Sequence, residues 1–115
     1  MRHFDNVTLF CPETVSTEGY TWRRYLLHGV TVEKISDTEG SSAVMYVFDG
    51  EAKAYCGGAA CRLPKIGVGC AVVHGADFTD KASVVDELPS CGCMKVKSVE
   101  HYYRRKLCYT KVILG

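Results

Sequence analysis

The sequence predicts a mainly β protein: a small single-domain β-barrel or sandwich with one short helix and one long loop rich in Cys, Ala and Gly. Three observations carry this prediction. Between three Pro and eleven Gly run short segments rich in Val, Tyr, Thr, Phe and Ile, residues that suit a pleated, half-buried surface. Several of these segments alternate face by face, which is the period of a strand. The 115 residues, 47% hydrophobic and 23% charged, supply one core and not two, so positions 1–115 are expected to form one domain.

Taken in order, Asp5 to Cys11 places Val7, Leu9 and Cys11 on one face and Thr8 and Phe10 on the other, until Pro12 breaks the pattern. Thr21 to His28 and Val30 to Ile35 read as a further pair, with Gly29 marking a bend or bulge between them. Ser42 to Phe48 is apolar on both faces, so it is expected at the centre of the sheet. Beyond Asp49-Gly50 the character changes. Residues 51–65 carry Ala52, Ala54, Gly57, Gly58, Ala59 and Ala60 around Cys56 and Cys61, side chains too small to fill a core, which predicts an extended exposed loop. Ile66 to His74 resumes strand character. Asp77 or Thr79 is placed to cap a short helix through Asp80 to Leu88, which Pro89 stops. The chain closes with Cys93 to Tyr102 and Leu107 to Leu114, two strands joined by the polar turn Tyr103-Arg104-Arg105-Lys106. Six or seven strands with one helix fit a small barrel or sandwich.

Charge and hydropathy then narrow the function. A net charge of +1 gives neither the self-repulsion of a disordered tail nor the positive field of a nucleic-acid binder. No apolar run approaches the roughly 18 residues that cross a bilayer, and the opening Met1 to Asn6 lacks the apolar stretch of a signal peptide, so a cytoplasmic protein is expected. Seven cysteines cannot all pair among themselves, and in a reducing compartment free thiols are the default.

Three constellations could carry chemistry. Cys56, Cys61, Cys91 and Cys93 offer four thiolates to a metal, but the spacings Cys-x4-Cys and Cys-x-Cys do not match the knuckles of structural zinc, so no metal or cofactor is expected and the set stands only as an alternative. Any of the cysteines could meet His3, His28, His74 or His101, yet no nucleophile elbow, metalloprotease helix or phosphate loop frames a catalytic pair, and an enzyme is not expected. The third is a basic cluster, Lys95, Lys97, Arg104, Arg105 and Lys106 with Tyr103 beside it, matched by the acidic stretch Asp77, Asp80, Asp86 and Glu87. Patches of opposite sign on one small subunit suit a head-to-tail contact between copies, the heterologous interface that closes into a ring.

Two stretches taken together resemble a known family. Val7-Thr8-Leu9-Phe10, then Trp22, then Leu26-Leu27-His28-Gly29-Val30 is similar to the opening of small neck or minor capsid proteins encoded in tailed bacteriophages and prophages of Firmicutes. Those proteins carry a strand Ile-Thr-Leu-Phe, a Trp-Tyr segment and a Leu-His-Asn/Gly-Val turn. Val72-Val73-His74-Gly75, the acidic link, Met94 to Glu100 and a last strand running to Val112 and Gly115 likewise follow the family's order, whereas Glu51 to Lys65 departs from it. The resemblance implies a structural protein of the virion, assembled in the host bacterial cytoplasm. It would be a small β-barrel in a homo-oligomeric ring on a portal or adaptor ring, in contact with tail proteins and near packaged DNA, with no membrane partner and no catalytic residue. A small intracellular β-barrel binding module is the alternative class.

Overall fold

The computed structural model describes residues 5–13, 19, 21–36 and 42–115, with the side chains of residues 35 and 36 not described; His3 lies outside this set. Nine strands form among them: β1 (Asp5–Glu13), β2 (Thr21–Ser36), β3 (Ser42–Phe48), β4 (Lys53–Cys56), β5 (Ala59–Cys61), β6 (Ala71–His74), β7 (Val84–Val85), β8 (Cys93–Arg104) and β9 (Leu107–Leu114). Six of them close a barrel in the order β1-β6-β8-β9-β3-β2, with β2 returning to β1, and every pairing is antiparallel. Closure removes the open edges that would otherwise invite association.

Alternation along the strands fills the barrel. Val7, Leu9, Leu27, Val30, Met45, Val72, Val112 and Leu114 are fully buried and form one cluster. The opposite face of β1 and β2 is also closed off, since Thr8, Phe10 and Leu26 are buried there. Part of that cover is the segment after β6: Thr8 Oγ1 donates to the Gly75 carbonyl at 2.8 Å, and the Phe78 ring packs edge-on against His28 and Tyr55.

A fork in the sheet positions everything else. Beyond Trp22 and Arg23, where it pairs with β7, the edge of β2 away from β1 pairs with β4 at Leu26 to His28 and then with β3 from Thr31 onward. Gly29 stands between the two halves as an extra residue, because Asp5 pairs with Val30 while Asn6 pairs with His28. Its φ of 82° lies in the left-handed region, and a Cβ added there would stand 3.0 Å from the Glu51 carbonyl oxygen. Asp5 Oδ2 accepts the Val32 amide at 2.8 Å just past the bulge. The turn Asp49 to Ala52 fits into the fork, and from there β3 stays in the barrel with β9 while β4 and β5 flare away as a hairpin.

Three expectations need correction. No helix exists among the described residues; Asp80 to Leu88 is irregular and contains only β7, which pairs with Trp22 and Arg23. Asp77, one of the two expected caps, instead ties a local turn, its Oδ1 accepting the Thr79 amide at 2.9 Å, and Asp80 at the start of the expected helix does the same, its Oδ1 accepting the Ala82 amide at 3.0 Å, a pattern that competes with helix formation. Residues 51–65 are not one extended loop. Ala52 and Ala54 are buried in the core, and β4 and β5 pair around Gly57-Gly58, both with positive φ as a type I′ hairpin turn requires. Finally, Ile66 to His74 is strand only from Ala71, although Ile66 itself belongs to the core.

Candidate functional site

The hairpin of β8 and β9 outruns the barrel. The last rung of β3 is Phe48 opposite Tyr109, and the Asp49 amide donates to the Cys108 carbonyl at 3.0 Å just beyond it, so Tyr103 to Leu107 pair only within the hairpin. Its tip carries Arg104, Arg105 and Lys106, all exposed, between Tyr103 at 75% exposure and Leu107 at 51%. Arg105 has a φ of 38°, a left-handed conformation that costs a non-glycine residue roughly 1 kcal/mol. Charge is thus held at a corner where glycine or asparagine would be easier.

Aromatic rings stiffen the stem below the tip. On one face Tyr102 stacks on Tyr109 with centroids 4.8 Å apart, Phe48 stacks on Tyr109 at 5.0 Å, and Tyr46 approaches it at 6.1 Å. The Tyr102 hydroxyl donates to Glu100 at 2.5 Å, a bond that raises the phenol above its ordinary range. On the other face His101 stacks with Tyr103 and shares a 3.1 Å hydrogen bond with Thr110. Those residues line an open groove of about 240 Å3 together with Asp49 and the segment Leu63-Pro64-Lys65-Ile66. The tip is therefore presented on a braced stem rather than on a loose loop.

The remaining sequence-predicted residues divide. Lys95 and Lys97 share β8 with the tip but lie nine and seven residues from Arg104, roughly 23–30 Å at the rise of a strand. Lys97 is the bulged residue, between Val96 opposite Leu114 and Ser98 opposite Ile113. One basic cluster in the sequence is thus two separate places in the fold. Asp77 and Asp80 are engaged within the chain. Arg24 Nη1 donates to Asp80 Oδ2 at 2.7 Å and its Nη2 to the Asp80 carbonyl at 3.0 Å, tying the segment before β7 to β2. Asp86 and Glu87 remain exposed and open to a partner.

The Arg24 bond and the Ala82 amide together pull the Asp80 carboxyl from 3.8 to about 2. A depressed folded-state pKa contributes stability that is present above the ordinary carboxylate range and is lost as pH falls from about 4 to about 2. Asp80→Asn should therefore melt at a lower temperature than the parent at pH 6, with the two melting curves converging by pH 2. A gap that persists at pH 2 would remove this role.

Among the described residues neither chemical alternative comes together. Cys56 and Cys61 sit on β4 and β5, while Cys93 opens β8 and Cys91 precedes it, four strand positions from β4 and five from β5 in the sheet order, and no group of three or more His, Cys, Asp and Glu converges among the described residues. His28 bonds Asn6 at 2.5 Å, His74 bonds Asp5 at 3.3 Å and His101 bonds Thr110, so none of these recorded partners is a thiol. What sequence reasoning missed is a thiol pair: Cys70 Sγ lies 3.5 Å from Cys11 Sγ. Both residues read as strand positions, but nothing in one sequence states which strand faces which. Compared with known proteins, the chain matches no family model, no curated protein and no solved structure.

Proposed function

We propose that this chain is a structural subunit of the head-to-tail neck of a tailed phage or prophage, of adaptor, stopper or tail-completion type, that acts by ring assembly and protein contacts. The observation that carries the reading is the braced hairpin. It projects past the barrel rim and presents Tyr103, Arg104, Arg105, Lys106 and Leu107 together, the mix of aromatic, guanidinium and apolar groups that protein interfaces favour. A small closed barrel supplies a rigid body with few sticky edges. The β4–β5 hairpin adds one short strand, Ala59–Cys61, whose three residues are exposed at the end of the sheet order. The motif resemblance supplies the biological setting, and near-neutral charge fits a building block better than a nucleic-acid binder.

Arg104→Glu/Arg105→Glu reverses the charge of the tip without touching the core. The expected result is loss of ring species in native mass spectrometry at a concentration where the parent forms them, with circular dichroism unchanged. Rings of unchanged size and yield would overturn the role of the tip. Portal, terminase and major capsid genes beside this gene support the neck; metabolic neighbours sink it.

A further inference from the structure

We propose that Cys11 and Cys70 form a modification site, a thiol pair placed to close into an intrachain disulfide with hydrogen peroxide as the oxidant. The register sets the pair. β1 and β6 match Val7 with His74, Thr8 with Val73, Leu9 with Val72 and Phe10 with Ala71, so the next rung puts Cys11 opposite Cys70. The Gly75 amide donates to the Asn6 carbonyl at 2.7 Å, which makes the rung of Asn6 a hydrogen-bonded one. Rungs alternate, so that of Cys11 is a non-hydrogen-bonded rung, where antiparallel Cα atoms stand about 4.5 Å apart and side chains are closest. That separation falls inside the window a disulfide requires.

Cys70 is also fixed from both sides. Its amide donates to the Gly67 carbonyl at 3.1 Å, and its carbonyl accepts the Val96 amide at 3.0 Å. The two sulfurs already touch at 3.5 Å, and side-chain rotation alone has to bring them to bonding distance. The pair divides its roles. With both thiols protonated Cys70 donates to Cys11; once Cys70 ionises the bond reverses. That bond draws Cys70 down to about 6 against the opposing effect of burial, and drives Cys11 far above its ordinary range. Cys70 is only 6% exposed, a site that favours a small oxidant over a bulky disulfide.

The steps balance. The Cys70 thiolate attacks one peroxide oxygen, the O–O bond breaks, and hydroxide leaves to take up a proton as water. Cys70 is then a sulfenic acid. The Cys11 sulfur attacks the Cys70 sulfur, the S–O bond breaks, and the hydroxyl departs with the Cys11 proton as a second water. Two thiols are oxidised and one peroxide is reduced.

The test treats the full chain with limiting hydrogen peroxide and reads intact mass, peptide map and reaction with dimedone. The parent should lose the mass of two hydrogens, yield a Cys11–Cys70 cross-linked peptide and take up no dimedone, while the exposed Cys61 and Cys91 stay reduced. Cys11→Ser should accumulate a dimedone adduct at Cys70, because the resolving thiol is gone. The oxidised parent should also show a higher urea midpoint than the reduced one, a difference absent in Cys11→Ser. Equal dimedone labelling of Cys70 in parent and variant would overturn the proposal. So would oxidation that begins at Cys61 or Cys91, or cross-links that join two chains.

Discussion

Valine in place of Gly29 should cost about 3–4 kcal/mol and release the β4–β5 hairpin from the barrel. Two effects add. A β-branched residue held at a φ of 82° is strained by roughly 1–3 kcal/mol. Its Cβ would also stand 3.0 Å from the Glu51 carbonyl oxygen, a backbone atom that cannot swing aside without moving the turn Asp49 to Ala52. That turn is held by amides of Glu51 and Ala52 donating to the Phe48 carbonyl, and by Asp49 donating to Cys108. Pushing it outward breaks the point at which β3 and β4 diverge. Gly29→Ala keeps the clash but carries less rotamer strain, so it should cost less than valine. Urea unfolding reads the total, and hydrogen exchange locates it: Ala54 and Tyr55 amides should lose protection before those of β3. A loss below about 1 kcal/mol for valine would mean that the fork does not depend on this bulge.

Much of this architecture is legible in the residues, and the failures have physical causes. Ser42 to Phe48 is read with its observed ends because both faces are apolar and turn residues bound it. The last hairpin is read because a polar turn separates two strongly β segments. Gly29 reads as a bend or bulge between two strands, and the structure corrects the division: β2 runs unbroken from Thr21 to Ser36 and Gly29 is a bulge inside it. Composition misleads in residues 51–65, where small side chains imply a loop but pairing requires only backbone and the turn Gly57-Gly58. It misleads again at Asp77 to Leu88, where the same acids that cap helices also close isolated turns and only tertiary pairing of Val84 and Val85 decides the outcome. At the candidate site the tip is legible, yet Lys95 and Lys97 are not part of it, because a strand carries sequence neighbours far apart. The contact of Cys11 with Cys70 depends on the pairing of segments 59 residues apart, which alternation within either segment does not encode.

Leu27→Ala should be the most damaging simple truncation, at about 3–5 kcal/mol. Leu27 is fully buried on the inner face of β2, with Val7 on β1 and Ala54 on β4 as its cross-strand neighbours. The cost of such a change depends on how far the surroundings collapse into the space left behind. Here they are poorly able to do so. Ala52 and Ala54 have no spare side chain to lean inward, and the hydrogen-bonded ring of six strands prevents one wall from moving without the others. The hole therefore persists, and the loss should fall in the upper part of the range seen for leucine truncation. Val68→Ala is the matched control: at 76% exposure it removes little buried surface and should change stability by less than about 0.5 kcal/mol. Both are read from urea unfolding, with an unchanged dependence on denaturant showing that the two variants unfold from the same fold. A Leu27→Ala loss near 1 kcal/mol would show that the wall of the barrel at β2 and β4 yields, and that closure of the ring does not hold it rigid.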